Sequence, residues 1–153
     1  MSVNTWEREL SNTQYLYATY KLNERLSNVI KNTSKKYKSS YADFVIKAGL
    51  TTFETLFNAN KIMINEYTPD ADFKERKRLL RLGISQLNIT AATMNIFLKH
   101  VREVDGVNQV KIDKLLEDIS LDVSAIESMI YNVIKSDEKR QADIKAARKA
   151  ARE

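Results

Sequence analysis

Between Asp72 and Val104 the apolar residues Leu80, Ile84, Leu87, Ala91, Met94, Leu98 and Val101 recur in an unbroken 4-3-4-3-4-3 spacing. That rhythm keeps one stripe of a helix turned toward a partner helix, as in bundles and coiled coils. A thinner stripe, Leu82, Ile89 and Ile96, repeats every seven residues on another side. Two apolar stripes suit a helix that touches more than one neighbour, which places this segment inside a bundle.

The rest of the chain follows the same period. A first helix spans about Asn4 to Asn32, opened by the cap-like pair Asn4 and Glu7 and striped by Tyr15, Leu22, Leu26 and Val29. Tyr15, Tyr17 and Tyr20 crowd one region of it, and such tyrosines serve as half-buried packing residues with a wet hydroxyl. A second helix follows Ser40 and Asp43 and runs to about Tyr67. Its Phe44, Val45, Ala48, Phe53, Leu56, Phe57, Ile62, Met63 and Ile64 place it well inside the bundle. Gly49 within it is expected to allow close helix approach. The link Thr68-Pro69-Asp70-Ala71-Asp72 is the clearest break, with Asp72 and Glu75 as a further cap-like pair. The third helix stops near Asp105-Gly106. Asn108 caps a fourth, striped by Ile112, Ile119, Val123, Ile126, Ile130 and Val133.

No strand-period alternation competes with this pattern, so the expected fold is all-α, an up-down-up-down antiparallel four-helix bundle over residues 15–134. Residues 1–14 form an N-terminal arm or the start of the first helix. After Ile134 the apolar stripe gives way to alanine and long charged side chains, so residues 135–153 form a charged C-terminal tail. It is expected to be helical or frayed and to extend beyond the bundle.

Chemistry-bearing patterns are scarce. There is no Cys and one His, His100, flanked by Lys99 and expected at the surface. The Glu-x-x-His pairs of di-iron bundles are missing, as are a Gly-rich phosphate loop and a nucleophile elbow. No metal or other cofactor is expected. Asp118 and Asp122, one helical turn apart, read as solvated carboxylates. The chain is expected not to be an enzyme. Lack of an apolar signal core, of a membrane-spanning run and of cysteine points to a soluble, cytoplasmic protein with no membrane partner.

Charge is more informative. The net charge of +5 concentrates in Lys35-Lys36-Tyr37-Lys38, in the run from Lys74 to Arg81, and in the tail, whereas Asp113 to Glu127 leans acidic. The basic run opens the third helix, whose N-terminus is already an anion-binding end. The functional reading of this run is a patch for phosphates or for an acidic protein.

The order of these features resembles one family. A tyrosine-bearing first helix ends in a lysine-rich loop, and a second helix closes on Asn58-Ala59-Asn60. A Pro/Asp link leads to Arg76-Lys77-Arg78-Leu79-Leu80 on a long third helix, and the fourth is rich in Ile and Leu. This pattern, from Tyr15 to Ile134, resembles the Avd family, the accessory variability determinants of diversity-generating retroelements. Their fold is shared by the four-helix proteins encoded in 23S rRNA intervening sequences. The chain departs from it with Lys35-Lys36-Tyr37-Lys38 in place of a Pro-Lys step, and Ile130-Tyr131-Asn132-Val133-Ile134 where a Gly-Trp is common. The resemblance implies a non-catalytic homopentamer that binds a reverse transcriptase and its structured template RNA and supports mutagenic cDNA synthesis. The contacts it implies to RNA or to the partner protein are Lys35, Lys36, Lys38, Lys74, Arg76, Lys77, Arg78 and Arg81. A rival expectation is a phage or defence-system scaffold acting through self-association alone.

Overall fold

The computed structural model describes residues 13–32, 41–105 and 109–153. Among them are the helices α1 (Gln14–Lys31), α2 (Tyr41–Lys61), α3 (Asp70–Asp105) and α4 (Gln109–Ala150). Each packs on its neighbour in the chain, and α1 closes the ring against α4. This is the up-down-up-down four-helix bundle that the periodicity demands. Among the described residues no helix is long and apolar enough to cross a membrane.

The main stripe of α3 does what its spacing requires. Leu80, Leu87 and Met94 are fully buried, Ile84, Leu98 and Val101 nearly so, and Ala91 packs against them. Facing them are Leu22 and Leu26 of α1, Val45 and Leu56 of α2, and Ile119, Ile126 and Ile130 of α4. Two contacts set how closely α2 can approach α3. Gly83 lies against Leu56, where a Cβ would collide with the leucine side chain. One level away, the buried Thr52 and Thr90 hydroxyls meet at 3.1 Å. Gly49 likewise lets α1 come close, and Asn23 Nδ2 donates to the Gly49 carbonyl at 2.9 Å.

The second stripe does not find a neighbour. Leu82 is 39% exposed, Ile89 54% and Ile96 53%. The antiparallel register set by Thr52 with Thr90 and by Tyr41 with His100 brings Phe44, 63% exposed, to the level of Ile96. The expectation that α2 lies well inside the bundle therefore fails on its outer sides, where Phe44, Leu50 and Phe57 face solvent. A helix in a four-membered ring has two neighbours and one inward face. Apolar residues beyond that arc have no other described helix to pack on.

α2 also ends earlier than expected, at Lys61 rather than Tyr67. The Asn65 backbone N–H donates to Thr68 Oγ1 at 2.7 Å, and Asn65 Oδ1 accepts from the Tyr67 N–H at 2.8 Å. These side-chain bonds give the backbone an alternative to the helix and fold residues 62–69 into a turn. The carbonyl of Pro69 accepts from Asp72 and Phe73, so α3 starts at Asp70 and Asp72 lies inside it rather than capping it. Glu75 pairs with Arg78 instead. The expected caps at Asn4 and Asn108 lie outside the described residues.

α1 and α2 have 18 and 21 residues, α3 and α4 have 36 and 42. At about 1.5 Å per residue the longer pair outreaches the shorter by more than 20 Å. Among the described residues the bundle therefore has four helices along part of its length, and beyond it a two-helix extension made of the start of α3 and the end of α4. The tail belongs to this extension. It is helical to Ala150 and extends beyond the four-helix section, as expected. Gln141 and Lys145 reach Asp70, and Arg148 donates to the carbonyls of Glu66 and Thr68 at 2.7 and 3.3 Å. Lacking an apolar face, the tail is fastened by charge and hydrogen bonds to the backbone of the turn.

Candidate functional site

The basic opening of α3 lies on this extension, and helical geometry splits it into different fates. Arg76 turns inward. Its Nε donates to Asp137 Oδ2 at 2.6 Å, and its Nη1 donates to the carbonyls of Ala59 and Ile62 at 3.3 and 3.2 Å. Those carbonyls lie at the C-terminal end of α2, where a cation is favoured. The side chains of Arg76 and Asp137 are 12% and 19% exposed. Arg76, expected among the phosphate contacts, is thus a structural clamp joining α2, α3 and α4. Its guanidinium is committed because α2 stops there with carbonyls to satisfy.

The clamp borders a cleft of about 500 Å³ where α1 begins and α2 ends, lined in part by Tyr15, Asn60, Met63, Arg76, Met129 and Asp137. Tyr15 is fully buried, with its hydroxyl 3.4 Å from Asn60 Oδ1. Burial pushes its phenol up to about 12, against a smaller downward pull from Arg76, and Asp137 adds to the rise. Tyr17 and Tyr20, read with it as half-buried, are about half exposed, and Lys21 lies over the Tyr17 ring.

The other cations of the run face outward. Lys77 donates to Glu138 Oε1 of α4 at 2.6 Å. Arg78 forms a two-pronged pair with Glu75 at 2.9 and 2.7 Å, which draws the Glu75 carboxyl below its ordinary range. Lys74 and Arg81 are exposed. The hydrogen bond and charge of Lys77 hold the Glu138 carboxyl below the usual carboxylate range, aided by Arg81 and by Lys135 of α4. Lys135 is a member of the cluster that the sequence reading missed. Only the antiparallel register of α3 and α4, fixed by Arg76–Asp137 and Asn88–Glu127, brings it alongside.

No family model matches this chain. No curated protein and no solved structure matches it either. The geometry of the site therefore has to carry the functional argument.

Lys35, Lys36 and Lys38 lie outside the described residues. His100, expected at the surface, is partly buried with its ring tilted against Tyr41 at 5.1 Å between centroids. Of the carboxylates read as solvated, Asp122 pairs with Arg25 of α1 at 2.6 Å. Among the described residues no group of three or more His, Asp and Glu side chains is placed to hold a metal ion. The outward cations can bind phosphates or carboxylates as point charges. They carry no apparatus for reading a base.

Proposed function

We propose that this protein is a non-catalytic, self-associating accessory protein that holds structured RNA together with a reverse transcriptase, the role implied by its likeness to accessory variability determinants. The observation that carries this reading is the grouping of Lys77, Arg81 and Lys135 around the Glu138 carboxylate on the two-helix extension. Lysine and arginine in such a group bind a phosphate backbone without sequence preference and with strong salt dependence. Absence of cysteine suits work in the reducing cytoplasm.

Self-association is supported by the exposed apolar stripe of Leu82, Ile89 and Ile96. The same face favours a second reading, a helical scaffold whose partner is only itself. The two readings separate in one experiment. The protein is purified with and without nuclease and its mass is measured by light scattering, alongside a variant with Lys77, Arg81 and Lys135 reversed to Glu. A closed ring of roughly five subunits that retains RNA at low salt, and loses it on charge reversal, supports the accessory role. A closed oligomer indifferent to nuclease and to charge reversal supports the scaffold. A monomer with no RNA overturns both.

A further inference from the structure

Adjacent residues of α4 make ion pairs of opposite character. Asp137 is held by the clamped Arg76, with side chains 19% and 12% exposed, whereas Glu138 and Lys77 are 48% and 37% exposed. The Glu138 carboxylate sits among three cations. Lys77 bonds to it at 2.6 Å, Arg81 lies one turn further along α3, and Lys135 stands three residues before it on α4.

We propose that Glu138 is a built-in competitor for RNA phosphate, occupying the centre of a phosphodiester site formed by Lys77, Arg81 and Lys135. This inference rests on the RNA-holding reading above. A carboxylate accepts a lysine hydrogen bond as a phosphate oxygen does, and an exposed ion pair is loosely held, so a phosphate can displace it. Glu138 then swings into solvent, and Lys77 gains a phosphate in exchange. The competitor lowers affinity without touching specificity, which suits a protein that must release RNA to a polymerase. Asp137 cannot play this part, because displacing it would leave Arg76 unpaired beside the end of α2.

The test compares the wild type, E138Q and the triple variant K77Q/R81Q/K135Q for binding a fluorescent single-stranded oligouridylate over a range of salt. Because phosphate must break the Lys77–Glu138 pair in the wild type but not in E138Q, E138Q is expected to bind up to about fivefold tighter near 0.1 M salt. The slope of log K against log salt should be nearly the same in the two proteins, since Lys77 contacts phosphate in both complexes. The triple variant is expected to lose binding, with unchanged helicity by circular dichroism. If E138Q matches the wild type in both affinity and slope while the triple variant loses binding, the competitor role is overturned and the RNA-holding reading stands. A slope steeper in E138Q by about 0.7 also overturns it, because Glu138 would then keep Lys77 from phosphate in the wild-type complex instead of yielding it. If neither the wild type nor E138Q binds at low salt, both readings fall.

Discussion

Arg76 Nε lies 2.6 Å from Asp137 Oδ2, and the same guanidinium closes the end of α2 through the carbonyls of Ala59 and Ile62. One side chain thus fastens three helices at the point where the four-helix section gives way to two. Replacing it leaves a sheltered carboxylate and two carbonyls without their donor. R76A is expected to lose about 2–4 kcal/mol of stability, read by urea unfolding. R76M/D137L, which removes both charges, should recover much of that loss. A loss confined to a few tenths would show the clamp to be ornamental.

Tyr15 makes stability depend on alkaline pH. Burial raises its phenol from 10.0 to about 12, so the unfolded chain ionises first. A group whose pKa rises on folding contributes stability in full below the unfolded value, and that contribution is lost as pH climbs through the folded value. Stability should therefore fall between about pH 10 and 12, by an amount on the order of 2–3 kcal/mol. Y15F should show a shallower decline over the same window. Equal slopes in the two proteins would contradict the assignment.

The glycines on the α2 and α3 helices respond differently to one added methyl. A helical Gly→Ala change ordinarily stabilises by up to about 1 kcal/mol. At Gly83 the new Cβ meets Leu56, which is fully buried, and G83A is expected to cost about 1–3 kcal/mol as α2 is pushed away. At Gly49 the obstacle is the Asn23 amide, a side chain that can swing aside. G49A should therefore cost less than G83A, and the ordering of the two thermal midpoints checks it.

The two stripes of α3 should separate cleanly under mutation. Leu80→Ala or Leu87→Ala, in fully buried positions, is expected to cost about 2–5 kcal/mol. Leu82→Gln, Ile89→Gln and Ile96→Gln should each stay within about 0.5 kcal/mol in the monomer. Their effect belongs to the mass measured by light scattering, which should drop toward the monomer when all three are changed together.

Much of the fold is legible in the chain because a 3.6-residue period has few interpretations. The stripe from Leu80 to Val101, the break at Thr68–Asp72 and the change of pattern after Ile134 place the helices and their antiparallel order with no reference to distance. The clustering of cations at the start of α3 is also explicit in the order of residues. Which of them face water depends on how α2 and α4 pack around α3. Arg76, Lys77 and Arg78 are consecutive, but successive helical positions point about 100° apart, so one enters the clamp, one crosses to α4 and one turns back along its own helix. Likewise Leu82, Ile89 and Ile96 carry an apolar period that signals burial, yet solvent covers them, since a ring of four helices offers each member just two neighbours. Periodicity records that a side chain is apolar on a given face. Whether anything lies opposite that face depends on residues far away in sequence, as the tail from Asp137 to Arg148 does in fastening itself to the turn between α2 and α3.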